Sequence, residues 1–304
     1  MHKLLSSRSR ENRYGYLFIL PALLYMILLI GYPLIYNFNL SFKNLDVMTF
    51  RGDSSIYVGF ENYKTLLADE VFIQALRQTF VFTFWCLIFQ FTFGFILALF
   101  FSRKFPLAGL IRGTILIGYM MPMSVTALVF KNMFATGTNE GVINYLLSVL
   151  GAVDPASPIG WLIGQQEALW AVIIANCWVG IPFNMLLLTG GLSGISEDIY
   201  EAATIDGANS FNRFIHITLP LLKPAILSVL MLGFIYTFKV FDLIFVMTKG
   251  GPLNATQVLS TYSYRLSFTE YKFSMGATGA VILFLCLMVV GLFYLWLVRN
   301  EESN

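Results

Sequence analysis

Six stretches of this chain are too long and too apolar for a water-soluble core: residues 16–36, 79–101, 115–134, 168–189, 225–247 and 273–298. A bilayer core about 30 Å thick needs about 20 apolar residues in helical form to cross it. Each stretch meets that length. The third is the weakest, because Pro122 interrupts it. Membrane helices tolerate such a break where neighbours satisfy the freed backbone groups. Only 12% of the 304 residues are charged and 57% are hydrophobic. A soluble domain carries about 25% charged residues, so most of this surface must meet lipid. The net charge of +2 is too small to point to nucleic acid as a partner.

Basic residues near the ends of the stretches set the orientation. Lys3, Arg8, Arg10 and Arg13 precede the first stretch, and Arg103, Lys104 and Arg112 crowd the second connection. The first, third and fifth connections are longer. In the first of these, Lys43, Arg51 and Lys64 are offset by Asp46, Asp53, Glu61, Asp69 and Glu70. Both chain ends are therefore expected in the cytoplasm, with a five-span arrangement as the main competitor. The first stretch is too long for a signal peptide and no small-residue cleavage site follows it, so it reads as an uncleaved anchor. Val142, Ile143, Leu146, Leu147 and Leu150 recur at helical spacing, which predicts a short amphipathic helix on the outer surface. Cys86, Cys177 and Cys286 each sit inside an apolar run without metal-like spacing and read as small buried hydrophobes.

The connection between the fourth and fifth stretches falls on the cytoplasmic side. Ser196 is placed to cap a helix whose first turn holds Glu197 and Asp198, where the helix dipole favours negative charge. Ile195 and Tyr200 have the spacing of a hydrophobic staple. Ile199, Ala202 and Ala203 fall on one face, and the alanines permit close approach of another surface. Gly207 ends the helix or permits a left-handed turn. A second helix starts near Asn209 or Ser210, and Pro220 marks entry into the fifth span. These features alone fit a solvated loop as well as a docking finger.

The motif within that loop carries more. Glu201-Ala202-Ala203, three residues, Gly207, nine residues, then Ile217-x-Leu219-Pro220 resembles the signature loop of the permease subunits of binding-protein-dependent ABC importers. Asp206-Gly207-Ala208 is similar to the carbohydrate branch of that family, the permeases of maltose, glycerol-3-phosphate and multiple-sugar importers. So are Gly59-Phe60-Glu61-Asn62-Tyr63, Lys239-Val240-Phe241-Asp242 and Thr248-Lys249-Gly250-Gly251-Pro252. A typical member has glycine where Lys249 stands.

The resemblance implies an all-α membrane protein of about six transmembrane helices, with cytoplasmic N- and C-termini and a cytoplasmic coupling helix between helices 4 and 5. Residues 1–15 would be a cytoplasmic segment, 16–298 the permease domain with its coupling loop at 191–220, and 299–304 a cytoplasmic tail. The implied location is the bacterial cytoplasmic (inner) membrane. The implied partners, besides the lipid bilayer, are a second homologous permease, two cytoplasmic ATPase subunits and an extracytoplasmic substrate-binding protein. Glu201 would make a polar contact with the ATPase, Ala202 and Ala203 would allow its close approach, Gly207 would set the bend and Asp206 would cap the second helix. Ile217, Leu219 and Pro220 complete the coupling set.

The chain has no Gly-x-x-x-x-Gly-Lys-Ser/Thr phosphate loop, so ATP and Mg are expected on the partner ATPase and no catalytic, cofactor or metal site is expected here. His216 has no partnering His, Cys or carboxylate cluster by spacing. Lys239 and Asp242, three apart, are expected on one helix face, either lining a pathway or anchoring at the interface. Gln90, Asn176 and Asn184 fit hydrogen bonding between helices or sugar contact. Tyr119, Trp178, Tyr236 and Phe241 offer faces on which a sugar could stack. The expected substrate path is Asn176, Trp178, Tyr236, Lys239 and Asp242. A permease for a non-sugar substrate, an ion-coupled secondary transporter and a membrane enzyme are the alternatives. The last two lack, respectively, a visible repeat and a clustered acid–base or nucleophile set.

Overall fold

A computed structural model describes residues 16–49, 56–103, 105–136 and 141–302. The 1–15 segment, several of the charges used for orientation (Lys3, Arg8, Arg10, Arg13, Arg51, Asp53 and Lys104) and residues 303–304 lie outside the described residues. Among the described residues, five helices are long and apolar enough to cross a bilayer: Tyr16–Ser41, Glu70–Phe101, Gln165–Ser193, Ser210–Met247 and Phe273–Arg299. The third expected span is a helix pair, Ala108–Met120 and Met123–Met133, bent by 95°. Counting the pair as one span makes six. Pro122 stands at the bend with φ −54° and ψ 138°. It has no N–H for the helix ladder, and it biases Met121 before it to extended backbone, at φ −69° and ψ 137°.

The elements are α1 (Tyr16–Ser41, with a π turn at Ile27–Gly31), β1 (Lys43–Asn44), β2 (Ile56–Tyr57), α2 (Glu61–Ala68) and α3 (Glu70–Phe101). Then come α4 (Ala108–Met120), α5 (Met123–Met133), α6 (Val142–Val149) and α7 (Gln165–Ser193). They continue with α8 (Glu197–Ile205), α9 (Ser210–Arg213), α10 (Leu219–Phe238), α11 (Asp242–Met247), α12 (Leu259–Tyr264) and α13 (Phe273–Glu302).

The chain forms two compact units, residues 1–66 with 263–281, and residues 67–262 with 282–304. In the first, Phe42 sits in an aromatic cluster with Phe60 and Tyr63, ring centroids 5.3 and 5.5 Å away. Asn62 donates to the carbonyls of Ser41 and Lys43 at 2.8 and 2.7 Å. Gly59 turns at φ +60°. The Gly59–Tyr63 motif therefore clamps the exit of α1 to the β1–β2 hairpin. The backbone N–H of Thr49 holds the Asp46 carboxyl below its usual range.

In the second unit, α3 starts at Asp69, whose Oδ1 accepts from the N–H of Val71 and Phe72 at 2.7 and 3.0 Å. That cap satisfies two of the four unpaired donors of a helix start. Helices α3 and α7 pack closely. A Cβ at Gly94 would lie 2.5 Å from Asn184 Cβ and 3.1 Å from the Ile181 carbonyl oxygen. Further along the same two helices, Phe82, Cys86, Val172 and Cys177 join Leu243 and Ile244 in one buried core cluster. More than half of the most apolar window of α7 is buried within the chain, and none of that of α1. The surface of α1 is left for lipid or other subunits.

The amphipathic segment forms α6, with Val142, Leu146 and Val149 exposed. Its Asn144 donates to the Ile159 carbonyl at 3.0 Å and accepts from Trp161 Nε1 at 3.1 Å. Lys249 adopts φ +53°, in the left-handed region that favours glycine. That backbone gives a physical reason for the glycine typical at this position.

One expectation about the fifth span is corrected. Within the span Ser210–Met247 the helix is interrupted: α10 ends at Phe238, Phe241 takes φ −128° and ψ −59°, and α11 restarts at Asp242. Lys239 and Asp242 therefore do not share a helix face. The Ser260 hydroxyl donates to the Val240 carbonyl inside the break, satisfying a group that continuous helix would have used.

Candidate functional site

Two places in the second unit collect the residues singled out in the sequence. The first is a finger made of α8 and α9. Ser196 Oγ accepts from the Asp198 N–H at 3.3 Å, and Glu197 and Asp198 occupy the first turn. At the other end Gly207 takes φ +81°. Its N–H donates to the Thr204 carbonyl at 3.1 Å, and that of Ala208 donates to the Ala203 carbonyl at 2.9 Å. This pair of bonds is a Schellman turn, which satisfies carbonyls a helix end leaves open.

The second helix is capped by Asn209, whose Oδ1 accepts from the Asn212 N–H at 2.8 Å. Asp206, the expected cap, stands instead as the C-cap of α8. It precedes the left-handed turn, whereas an N-cap must directly precede the first turn it serves. Pro220 has no N–H to offer the His216 carbonyl. The backbone before it runs as a π turn, Phe214–Thr218, into α10.

Side chains tie the finger together. Arg213 Nη1 donates to Thr204 Oγ1 at 2.7 Å and Nη2 to Ser210 Oγ at 3.3 Å. The Tyr200 hydroxyl lies 2.9 Å from Thr218 Oγ1. Neither tie could be read from local spacing, because each joins α8 to the segment after the turn. His216 Nδ1 lies 3.1 Å from the Asn212 carbonyl.

On the finger's expected face Ile199 and Ala202 are exposed and Ala203 is half-buried; Glu201 is exposed beside them and Tyr200 is half-buried. Ile205 is 87% and Phe211 68% exposed. Two large apolar side chains thus project at the finger's tip, where burial against a partner would be favourable. Ile217 and Leu219 are half-buried at the finger's root and Pro220 is exposed.

Arg213→Ala is expected to loosen the finger by about 1 kcal/mol for each bond lost. Hydrogen exchange at the Gly207 and Ala208 amides should then accelerate about fivefold or more. Unchanged exchange would mean that the Schellman turn holds without the tie.

The second place is a pocket of about 190 Å³ between α3, α4, α7 and α10, lined by Gln90, Tyr119, Asn176, Phe183, Tyr236 and Thr237 among others. It contains no charged side chain. Gln90 Nε2 donates to the Asn176 carbonyl at 3.3 Å across α3 and α7. Asn184, by contrast, bonds within its own helix, to the Gly180 carbonyl at 2.7 Å. Tyr119 stacks on Phe183 at 5.6 Å, and Phe183 meets Tyr236 edge to face at 5.8 Å. A Cβ at Gly180 would lie 2.1 Å from the Gln90 amide carbon, so this glycine makes room for the amide.

Of the five expected path residues, Asn176 and Tyr236 line this pocket. Lys239 reaches it indirectly, with its Nζ 5.3 Å over the Tyr236 ring. Trp178 lies outside it, against Gly118 and in a neighbouring apolar groove. Asp242 begins α11 and is exposed. Phe183 and Thr237 were missed, because an aromatic and a threonine among so many apolar neighbours give no periodic signal.

A profile of the inner membrane component of binding-protein-dependent transport systems matches residues 90–302. Over 281 residues the chain is 36% identical to the trehalose/maltose transport system permease protein MalF of Thermococcus litoralis, covering 92% of this chain and 91% of that one. Over 305 residues it is 33% identical to the lactose transport system permease protein LacF of Rhizobium radiobacter, covering 98% and 99%. In fold it is similar to a chain from the crystal structure of a bacterial ABC transporter involved in the import of the acidic polysaccharide alginate. The TM-score is 0.80 at 22% identity, over 97% of this chain and 98% of that one.

Proposed function

The chain belongs to the inner membrane components of binding-protein-dependent transport systems, and we propose that it is the permease subunit through which an ABC importer moves a sugar. The observation that carries the coupling half of this reading is the finger. It has a left-handed turn at Gly207 closed by two backbone bonds, and Ile205 and Phe211 stand exposed at its tip. An element so fixed, with apolar side chains in solvent, is built to be covered.

In this reading the finger lies in the cytoplasm, as do both chain ends, and docks on an ATPase subunit that binds ATP and Mg. Glu201 meets a polar group there, and Ala202 lets the surfaces approach. A second, homologous permease completes the path, and an extracytoplasmic binding protein delivers the substrate. The location is the bacterial cytoplasmic membrane. ATP-driven closure of the ATPase pair biases the permeases between two states by contacting them differently in each. The chain itself hydrolyses nothing.

The sugar assignment draws on the relatives named for trehalose, maltose and lactose transport. It also fits the pocket's chemistry. Amide and hydroxyl groups from Gln90, Asn176 and Thr237 can exchange hydrogen bonds with hydroxyls, and the Tyr119–Phe183–Tyr236 rings can meet the apolar face of a pyranose.

The test is uptake of labelled sugars by vesicles holding the chain with its partner permease, ATPase and binding protein. Uptake is expected to require both ATP and the binding protein. Uptake driven by an ion gradient in their absence would sink the importer reading. In the same vesicles, Tyr236→Ala removes an aromatic face worth about 0.5–1.5 kcal/mol. The substrate concentration for half-maximal uptake should then rise about two- to tenfold. The Tyr236 side chain is 57% exposed, so folding should be little affected. An unchanged half-maximal concentration would remove this pocket from the path.

A further inference from the structure

Two cavities open along the same three helices, α3, α4 and α7. One is a groove of about 330 Å³ lined by Leu97, Thr114, Ile115, Trp178, Ile181 and Pro182. Its polar groups are few: Thr114 already donates its hydroxyl to the Leu110 carbonyl at 3.0 Å, and Trp178 adds one indole N–H. The groove therefore suits a hydrocarbon chain better than a polar ligand. The other cavity, of about 930 Å³, lies one to two turns further along each helix, from Leu97 to Phe101, from Ile115 to Ala108 and from Pro182 to Thr189. Its lining includes Arg103 and Arg112.

The two arginines are under-used by the protein. Arg112 Nη2 donates to the Phe101 carbonyl at 3.0 Å, and the guanidinium stands 5.8 Å from the centre of the Phe101 ring. Its Nε is buried without an acceptor. A guanidinium has five N–H donors, and this one spends a single bond on a protein acceptor among the described residues. Arg103 is exposed; its backbone N–H donates to the Phe100 carbonyl at 3.3 Å, and its guanidinium has no hydrogen bond or ion pair among the described residues. The lining holds one carboxylate, Glu197, in the first turn of the finger. Beside the cleft, Leu107 and Leu110 are each 68% exposed, an apolar margin that suits hydrocarbon.

We infer that cleft and groove together hold one anionic phospholipid, with its phosphate at Arg103 and Arg112 and an acyl chain along Trp178. The juxtaposition selects this ligand. A free phosphate would use the cleft and leave the apolar groove unfilled, and a zwitterionic phospholipid would bring its own ammonium to the two cations, which an anionic headgroup does not. Arginine pairs with phosphate through a planar fork of donors, and basic pockets between membrane helices suit such headgroups. Ile195 and Tyr200 from the finger line the same cleft. A bound headgroup would therefore brace the base of the finger against the connection between α3 and α4. This inference goes beyond the transport reading and depends only on the chain's residence in a membrane.

The test uses the full-length chain in phosphatidylcholine nanodiscs carrying a minor fraction of lipid brominated on its acyl chain, either phosphatidylglycerol or phosphatidylcholine. Bromine quenches nearby tryptophans, and subtracting the signal of Trp178→Phe isolates the groove from the other tryptophans. Quenching at Trp178 is expected to favour phosphatidylglycerol by about fivefold for each arginine engaged. Arg103→Gln should lower that preference about fivefold. Because Arg103 is exposed and unpartnered, this variant should fold normally, whereas Arg112→Gln would also lose the Phe101 contact. Equal quenching by the two lipids, or an undiminished preference in Arg103→Gln, overturns the inference. So does loss of the preference when inorganic phosphate is added at the concentration of the anionic lipid, since the site would then take a free anion. None of these outcomes bears on sugar uptake, so the transport reading stands or falls separately.

Discussion

Gly207→Pro is expected to lower ATP-driven uptake by at least about tenfold while the chain still reaches the membrane. Proline locks φ near −65° and carries no N–H. Gly207 sits at φ +81° and donates to the Thr204 carbonyl at 3.1 Å. The substitution therefore cannot adopt the turn and removes one of its two bonds. The finger's tip, with Ile205 and Phe211, would point elsewhere.

Gly207→Ala is the control. No atom lies within 4 Å of an added Cβ, so its cost is torsional only, about 1–2 kcal/mol for an L residue in the left-handed region. It should keep most of the uptake. If Gly207→Pro transports like the wild type, the finger does not carry the signal from the ATPase, and the coupling residues must be sought elsewhere.

Gly94→Val should destabilise the folded chain by on the order of 3 kcal/mol or more. The new Cβ would lie 2.5 Å from Asn184 Cβ and 3.1 Å from both the Ile181 oxygen and the Met185 nitrogen. Two of these three neighbours are backbone of α7, which cannot rotate away as a flexible side chain could. Small residues at such contacts are what allow membrane helices to pack, because lipid supplies no hydrophobic drive between them.

Gly109→Val makes the matching control: it is also helical, and nothing lies within 4 Å of its added Cβ. Thermal unfolding of the detergent-solubilised chain, followed by tryptophan fluorescence, separates the two. A lowered midpoint for Gly94→Val alone is expected, and equal midpoints would mean that α3 and α7 can separate without penalty.

Much of the finger was legible before any coordinates, and the reason is locality. Ser196 with Glu197 and Asp198 is a helix start by capping chemistry alone, and Gly207, eleven residues after that cap, is a helix stop. The same holds for α6, whose apolar spacing is helical. The six apolar stretches followed from length and composition, which bilayer thickness constrains directly.

Other features rest on contacts between residues far apart in sequence. Pro122 flagged a weak third span, yet the 95° bend depends on how α4 and α5 pack separately. Lys239-Val240-Phe241-Asp242 contains no helix breaker, and its break is met by Ser260 twenty residues later. The Arg213–Thr204 tie crosses the Gly207 turn.

The sequence by itself determined that the chain crosses a bilayer several times, roughly where each apolar span lies, and that a capped two-helix finger joins the fourth and fifth of them; the helices overrun the apolar stretches, α3 starting at Glu70 and α4 at Ala108 rather than at 79 and 115. These are properties of single segments in water or lipid. Only the tertiary structure decided which polar groups meet. Gln90 reaches Asn176 while Asn184 turns back on its own helix. Tyr236 joins the pocket while Trp178 faces an apolar groove. A side chain's direction between packed helices depends on which neighbours leave room, and here that room comes from Gly94, Gly118 and Gly180, whose use as contact points exists only once the helices are side by side.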